Sequence, residues 1–101
     1  MTTIDVTMVR IYLREEDAEL ESMLDYLHDQ ERVRGVTAFR GIAGFGTTGN
    51  MDASSMLDMS MDLPIVIEFF EKPDKAAAVI EHLSESIDPG HIVQWPAKMN
   101  G

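Results

Sequence analysis

Three observations predict an α+β domain with the element order β-α-β-β-α-β. Four short stretches are rich in β-branched and aromatic residues: "IDVTMVRIYL", "VTAFRGI", "PIVIEFF" and "HIVQW". Two stretches between them repeat apolar residues at helical spacing. The 101 residues suffice for one domain, expected to span 1–101 with a long flexible loop at about 44–63.

The first strand is expected over 4–13. Thr7, Val9, Ile11 and Leu13 share one face; Ile4, Val6, Met8, Arg10 and Tyr12 share the other. Both faces are mostly apolar, as in a central strand covered on both sides. A helix follows over 15–33, with Leu20, Met23, Leu24 and Leu27 as its stripe. Glu15, Glu16 and Asp17 suit the positive end of its dipole, and Arg32 and Arg34 the negative end. Gly35 is the expected stop. Strands are expected at 36–42 and 64–70, the latter opened by Pro64 at a permitted position. Pro73 opens a second helix to about Ser86, with Ala76, Val79, Ile80, Leu83 and Ile87 facing inward. Asp88-Pro89-Gly90 is a turn, and 91–95 a short last strand before a loose or edge-bound tail.

This order is the ferredoxin-like split unit. Two helices cover one face of a four-stranded antiparallel sheet. The other face, carrying Met8 and Tyr12, stays apolar. A patch of that kind implies burial against other copies, most simply in a closed ring.

Charge narrows the function. Eighteen acidic residues face eight basic ones, a net charge of -10. Such a field repels nucleic acid phosphates. There is no cysteine, so disulfides, thiolate metal sites and thiol nucleophiles are excluded. The first residues lack the apolar core of a signal peptide, and no apolar run approaches a membrane span. A cytoplasmic protein is expected.

The segment joining the second and third strands is the least ordinary feature. Twenty residues run from Gly44 to Leu63, where a hairpin needs about two to five. Gly41, Gly44, Gly46 and Gly49 punctuate its start. They could turn backbone N–H groups inward as an anion nest, or simply bend a strand end. No Lys-Ser/Thr follows, so this is no Walker A loop.

"GVTAFRGIAGFG" at 35–46 resembles the second strand and loop base of PII signalling proteins. The "RGIAGFG" spacing, Val9-Arg10-Ile11-Tyr12 with Glu15, and Asp62-Leu63-Pro64 resemble a bacterial PII-like branch known as a domain of unknown function. The resemblance covers residues 9 to about 87. It implies a homotrimer with a small-molecule effector, an adenine or cyclic nucleotide, in clefts between subunits. By position, Thr37, Gly44, Phe45, Gly46, Thr47 and Glu68 would line that cleft. Arg40 would meet an anionic group or pair with Glu68. The long loop, the T-loop of those proteins, would carry the signal to a partner. A membrane transporter is the partner that the similarity implies. Two departures matter. The Gly-x-Gly-Lys turn after the second helix is replaced by "ESIDPGHIV", so the cations for a triphosphate are missing. The loop also lacks the tyrosine that some PII proteins modify.

Met51, Met56, Met59 and Met61 lie in the loop among Asp52, Asp58 and Asp62. Pliable methionines suit a partner-binding surface. The alternative is a metal-responsive trimer whose thioethers and carboxylates take a cation. His28, His82 and His91 show no ligand spacing; the first two read as solvated helix residues. No nucleophile elbow or fixed carboxylate pair is evident, so no enzymatic activity is expected.

Overall fold

A computed structural model describes residues 2–14, 20–44 and 63–101. The elements are β1 (Thr3–Arg14), α1 (Leu20–Asp25) continued by a π-helical turn (Tyr26–Gln30), β2 (Val36–Arg40), β3 (Pro64–Glu71), α2 (Pro73–Leu83) and β4 (Ile92–Asn100). They form one four-stranded sheet in the order β2-β3-β1-β4, antiparallel at every pairing. This is the ferredoxin-like arrangement, with β1 central as its two apolar faces predict.

The core lies between the sheet and the helices. Val9, Ile11, Ile65, Ile67 and Phe69 come from the strands. Leu27, Val33, Ala76, Val79 and Leu83 close over them. Phe69 is 1% exposed, so Phe69→Ala should cost about 3–5 kcal/mol. Pro73 takes the first turn of α2, where its missing N–H is no loss.

The first helix departs from expectation at its end. Residues 15–19 lie outside the described part, and the helix stops at Gln30 instead of Val33. Its last turn widens: the Glu31 N–H reaches back to the Tyr26 carbonyl at 3.1 Å. Arg32 then adopts φ 53°, the left-handed region. The Val33 N–H donates to the Leu27 carbonyl at 3.1 Å, which turns Val33 into the core. The helix therefore ends before Arg32, and the left-handed turn falls at Arg32 and not at Gly35. A strong apolar anchor, Val33, outweighs the local preference for glycine.

β4 is also longer than predicted. It runs nine residues to Asn100 and pairs with β1 from Ile11↔Ile92 to Thr3↔Asn100. The tail is bound at the sheet edge as one alternative held. Val93, Trp95, Ala97 and Met99 continue one alternating face, and Pro96 is tolerated because β4 is an edge strand. β2 is shorter than predicted, ending at Arg40.

Among the described residues one charged side chain is buried. The Glu71 side chain is 4% exposed. Its carboxylate accepts from the Arg34 N–H at 2.8 Å and the Lys72 N–H at 3.2 Å. Lys75 lies 3.4 Å away and Arg34 Nε 3.8 Å away. Glu71 thus ties the loop before β2 to the start of α2.

Candidate functional site

The uncovered face of the sheet is set by register. Met8 lies between Phe70 and Trp95, Arg10 between Glu68 and Val93, and Tyr12 beside Val66. Thr37 faces Glu68 and Phe39 faces Val66. Tyr12, Phe39, Val93 and Trp95 are exposed here, at 37–48%. The apolar face expected from the sequence is therefore present.

At its centre sits a cluster that the sequence reading had not singled out as a site. Arg10 Nε donates to Glu68 Oε2 at 3.0 Å. The guanidinium lies 5.5 Å from the Trp95 ring centroid. Glu68 is the more covered partner, at 19% against 39% for Arg10. Hydrogen bonding to Tyr12, then to Glu68, raises the Arg10 pKa above its usual value. A cation over an indole contributes about 0.5–1 kcal/mol in water and about 2 when water is removed. The signal was legible in principle: one arginine interrupts an otherwise apolar strand face, and the chain has one tryptophan.

Beside this cluster an open cavity of about 480 Å³ spans all four strands. Val6, Met8, Thr37, Glu68, Phe70 and Met99 are among its lining residues. Two predicted ligand residues, Thr37 and Glu68, thus meet across one register pair.

The loop base lies further along. Arg40 pairs in register with Ile65, three residues from Thr37. At about 3.3 Å per residue, that is roughly 10 Å along the strand. Strand alternation puts Arg40 on the opposite face from Thr37 and Glu68. The Arg40–Glu68 pairing held as an alternative is not what forms; Arg10 takes that carboxylate. The Gly41 N–H donates to the Pro64 carbonyl at 2.8 Å. A Cβ on Gly41 would sit 2.6 Å from Pro64 Cγ, and one on Gly44 3.1 Å from it. The nest expectation needs positive φ, yet among the described glycines only Gly90 has it. Gly41 and Gly44 are small because the chain folds tightly against the Pro64 ring. Ile42, between them, is 95% exposed. Phe45, Gly46, Thr47, Met51, Met56, Met59 and Met61 lie outside the described residues.

The histidines are held more firmly than predicted. His82 Nδ1 lies 2.9 Å from Glu31 Oε2, and the Tyr26 hydroxyl donates to the same oxygen. The bond to Glu31 raises the His82 pKa and pushes that of Tyr26 up to about 12. His91 Nδ1 lies 2.8 Å from the Tyr12 carbonyl and fastens the start of β4 to β1. His28 contacts its neighbour Asp29 at 2.7 Å on the exposed helix surface. Among the described residues no group of three acidic or histidine side chains is placed to hold a metal.

The ferredoxin-like sheet with one open apolar face and a long β2–β3 connection defines a PII-like fold. Comparison with solved structures bears this out. The CPII protein of Thiomonas intermedia, bound to ADP, AMP and acetate, superposes with a TM-score of 0.68 at 16% identity, over 100% of this chain and 94% of its own. The same protein bound to ADP, AMP and bicarbonate gives 0.67 at 14% identity, over 99% and 100%. A PII-like signalling protein of Thermus thermophilus gives 0.59 at 17%, over 98% and 91%. At these identities the likeness is one of fold. The chain belongs to the DUF190 family, described as Uncharacterized ACR, which matches residues 6–99. A UPF0166 protein of Methanocaldococcus jannaschii is 32% identical over 95 residues, covering 89% of this chain and 86% of that protein. Another, from Aquifex aeolicus, is 26% identical over 87 residues, covering 82% and 83%.

Proposed function

We propose that this is a PII-like regulatory protein, without enzymatic activity of its own, that binds an adenine or cyclic nucleotide between copies of itself. The observation that carries the reading is the pairing of an open apolar sheet face with a tightly fastened loop base. The face calls for other copies, and a homotrimer is the assembly that the resemblance suggests. CPII, similar in fold, is described bound to ADP and AMP, which supports an adenine nucleotide as the effector.

The chain's own chemistry limits the phosphate load. Of the predicted ligand residues Thr37, Arg40, Gly44, Phe45, Gly46, Thr47 and Glu68, only Arg40 is cationic. Glu68, paired with Arg10, offers a polyphosphate no free cation, and its carboxylate suits ribose hydroxyls or an amino group. A monophosphate or cyclic nucleotide fits this set better than a triphosphate. Segment 44–63 would transmit the bound state to a partner, a membrane transporter being the resemblance's suggestion, by a shift between loop populations. Among the described residues no helix is long and apolar enough to cross a membrane, consistent with the cytoplasmic location we propose.

Isothermal titration with AMP, ADP, ATP and cyclic AMP tests the reading. We expect binding, tightest for the ligands with fewest phosphates, and loss of binding in Gly44→Glu. No heat with any of the four would refute it.

A further inference from the structure

Among the described residues between the Ile4–Met99 row and the Tyr12–Val66–Phe39 row, the uncovered face carries Arg10 and Glu68 as its only charged side chains. The chain as a whole has a net charge of -10, so a neutral, apolar face is a marked local exception. The two charges are matched within one chain, at 3.0 Å. Arg10 is further engaged by the Trp95 ring at 5.5 Å. The cluster bridges β3, β1 and β4, the middle of the sheet. A surface with its charge already neutralised asks for an equally neutral partner. The same face of another copy meets that need; a phosphate surface would not.

We propose that the Arg10–Glu68–Trp95 cluster fixes the geometry in which copies of this chain assemble on their open sheet faces. The inference rests on the self-assembly reading above and adds the residues that enforce its specificity. An apolar face alone sticks in many arrangements, because hydrophobic contact is non-directional. An ion pair covered by a neighbour tolerates few of them. Any arrangement that pries Glu68 from Arg10 leaves an uncompensated charge out of water, a penalty that apolar contact does not offset. A single buried polar residue fixes register and stoichiometry in coiled coils by the same physics. The pair costs assembly strength and gains a single outcome.

Native mass spectrometry and light scattering at several protein concentrations test this, with circular dichroism confirming the fold of each variant. The wild type should show one stoichiometry. R10M/E68M should still associate, but as a mixture of stoichiometries. E68Q, which keeps shape and leaves Arg10 uncompensated, should dissociate at least about a hundred-fold more readily. The charge swap R10E/E68R should restore a single species. The inference is overturned if R10M/E68M keeps one stoichiometry equal to the wild type's, or if E68Q assembles as tightly as the wild type. A wild type that is monomeric at every concentration overturns the self-assembly reading itself, and this inference with it.

Discussion

The contact between Gly41 and Pro64 gives the most direct test of how the loop base is held. Substituting alanine at Gly41 places a methyl carbon 2.6 Å from Pro64 Cγ. Carbon atoms rest about 3.5–4.0 Å apart, so roughly 1 Å must be opened. The proline ring has little freedom to move, and the 2.8 Å bond from the Gly41 N–H to the Pro64 carbonyl holds the backbones together. Overpacking of this kind costs about 1–3 kcal/mol. Weakening the hydrogen bond adds up to about 1 kcal/mol. The lower entropy of the unfolded alanine chain offsets about 0.4–1 kcal/mol. Gly41→Ala should thus destabilise by about 1–3 kcal/mol. Pro64→Ala removes Cγ, so the double variant should recover most of that loss. Urea unfolding of the four proteins at one fixed concentration measures the coupling, which should exceed about 1 kcal/mol. A coupling below about 0.5 kcal/mol would refute the steric reading and return Gly41 to a purely conformational role.

Three further predictions follow from the same structure. Glu71→Ala strands the N–H groups of Arg34 and Lys72 and should cost about 3–5 kcal/mol by urea unfolding; a loss under about 1 kcal/mol would show the carboxylate dispensable. The raised His82 pKa stabilises the fold while the ring is charged in both states, below about 6.5; that contribution should fade as pH rises through the higher folded-state value. His82→Gln should flatten that stretch of the stability-against-pH curve, and a curve superposing on the wild type's would sink the assignment. Ile42→Ser should leave unfolding free energy within about 0.5 kcal/mol of the wild type, since a side chain 95% exposed has little to lose; a larger loss would mean that the residue is covered in solution.

Periodicity made most of the fold legible. Alternation in β1 put Val9 and Ile11 on the face away from Met8 and Tyr12, and both are core residues. The misreadings came where a distant contact outweighed a local signal. Gly35 looked like a helix stop, but the helix ends at Gln30 and Arg32 turns Val33 into the core. The last six residues read as loose or edge-bound, and pairing with β1 settles it by ordering all but the final glycine as edge strand. The candidate site was legible in part. Thr37 and Glu68 were expected to share a cleft and do share a register row. Arg40 was expected near them because it is close in sequence, but odd and even positions on a strand point apart. Arg10 was placed on the correct face and given no role, because nothing local says which carboxylate lies across the sheet.

The geometry separates two tasks that the sequence seemed to merge. The loop base is fastened at the Arg40–Ile65 end of the sheet, and the cavity opens around Thr37, Glu68 and Met99. The two regions lie roughly 10 Å apart along β2, about the length of one nucleotide. In the assembly proposed above, neighbouring copies would meet on the open face that carries the cavity. Arg10 and Glu68 share the Thr37 row, on the cavity side, on the two central strands. An effector that altered how neighbouring faces meet would act on that pair first, and one that altered only the loop would leave it untouched. Comparing nucleotide binding in wild type and in Trp95→Leu, a cluster residue outside the proposed ligand set, separates the two routes: equal affinity places the effector's action in the loop base, and a shifted affinity places it in the contact between faces.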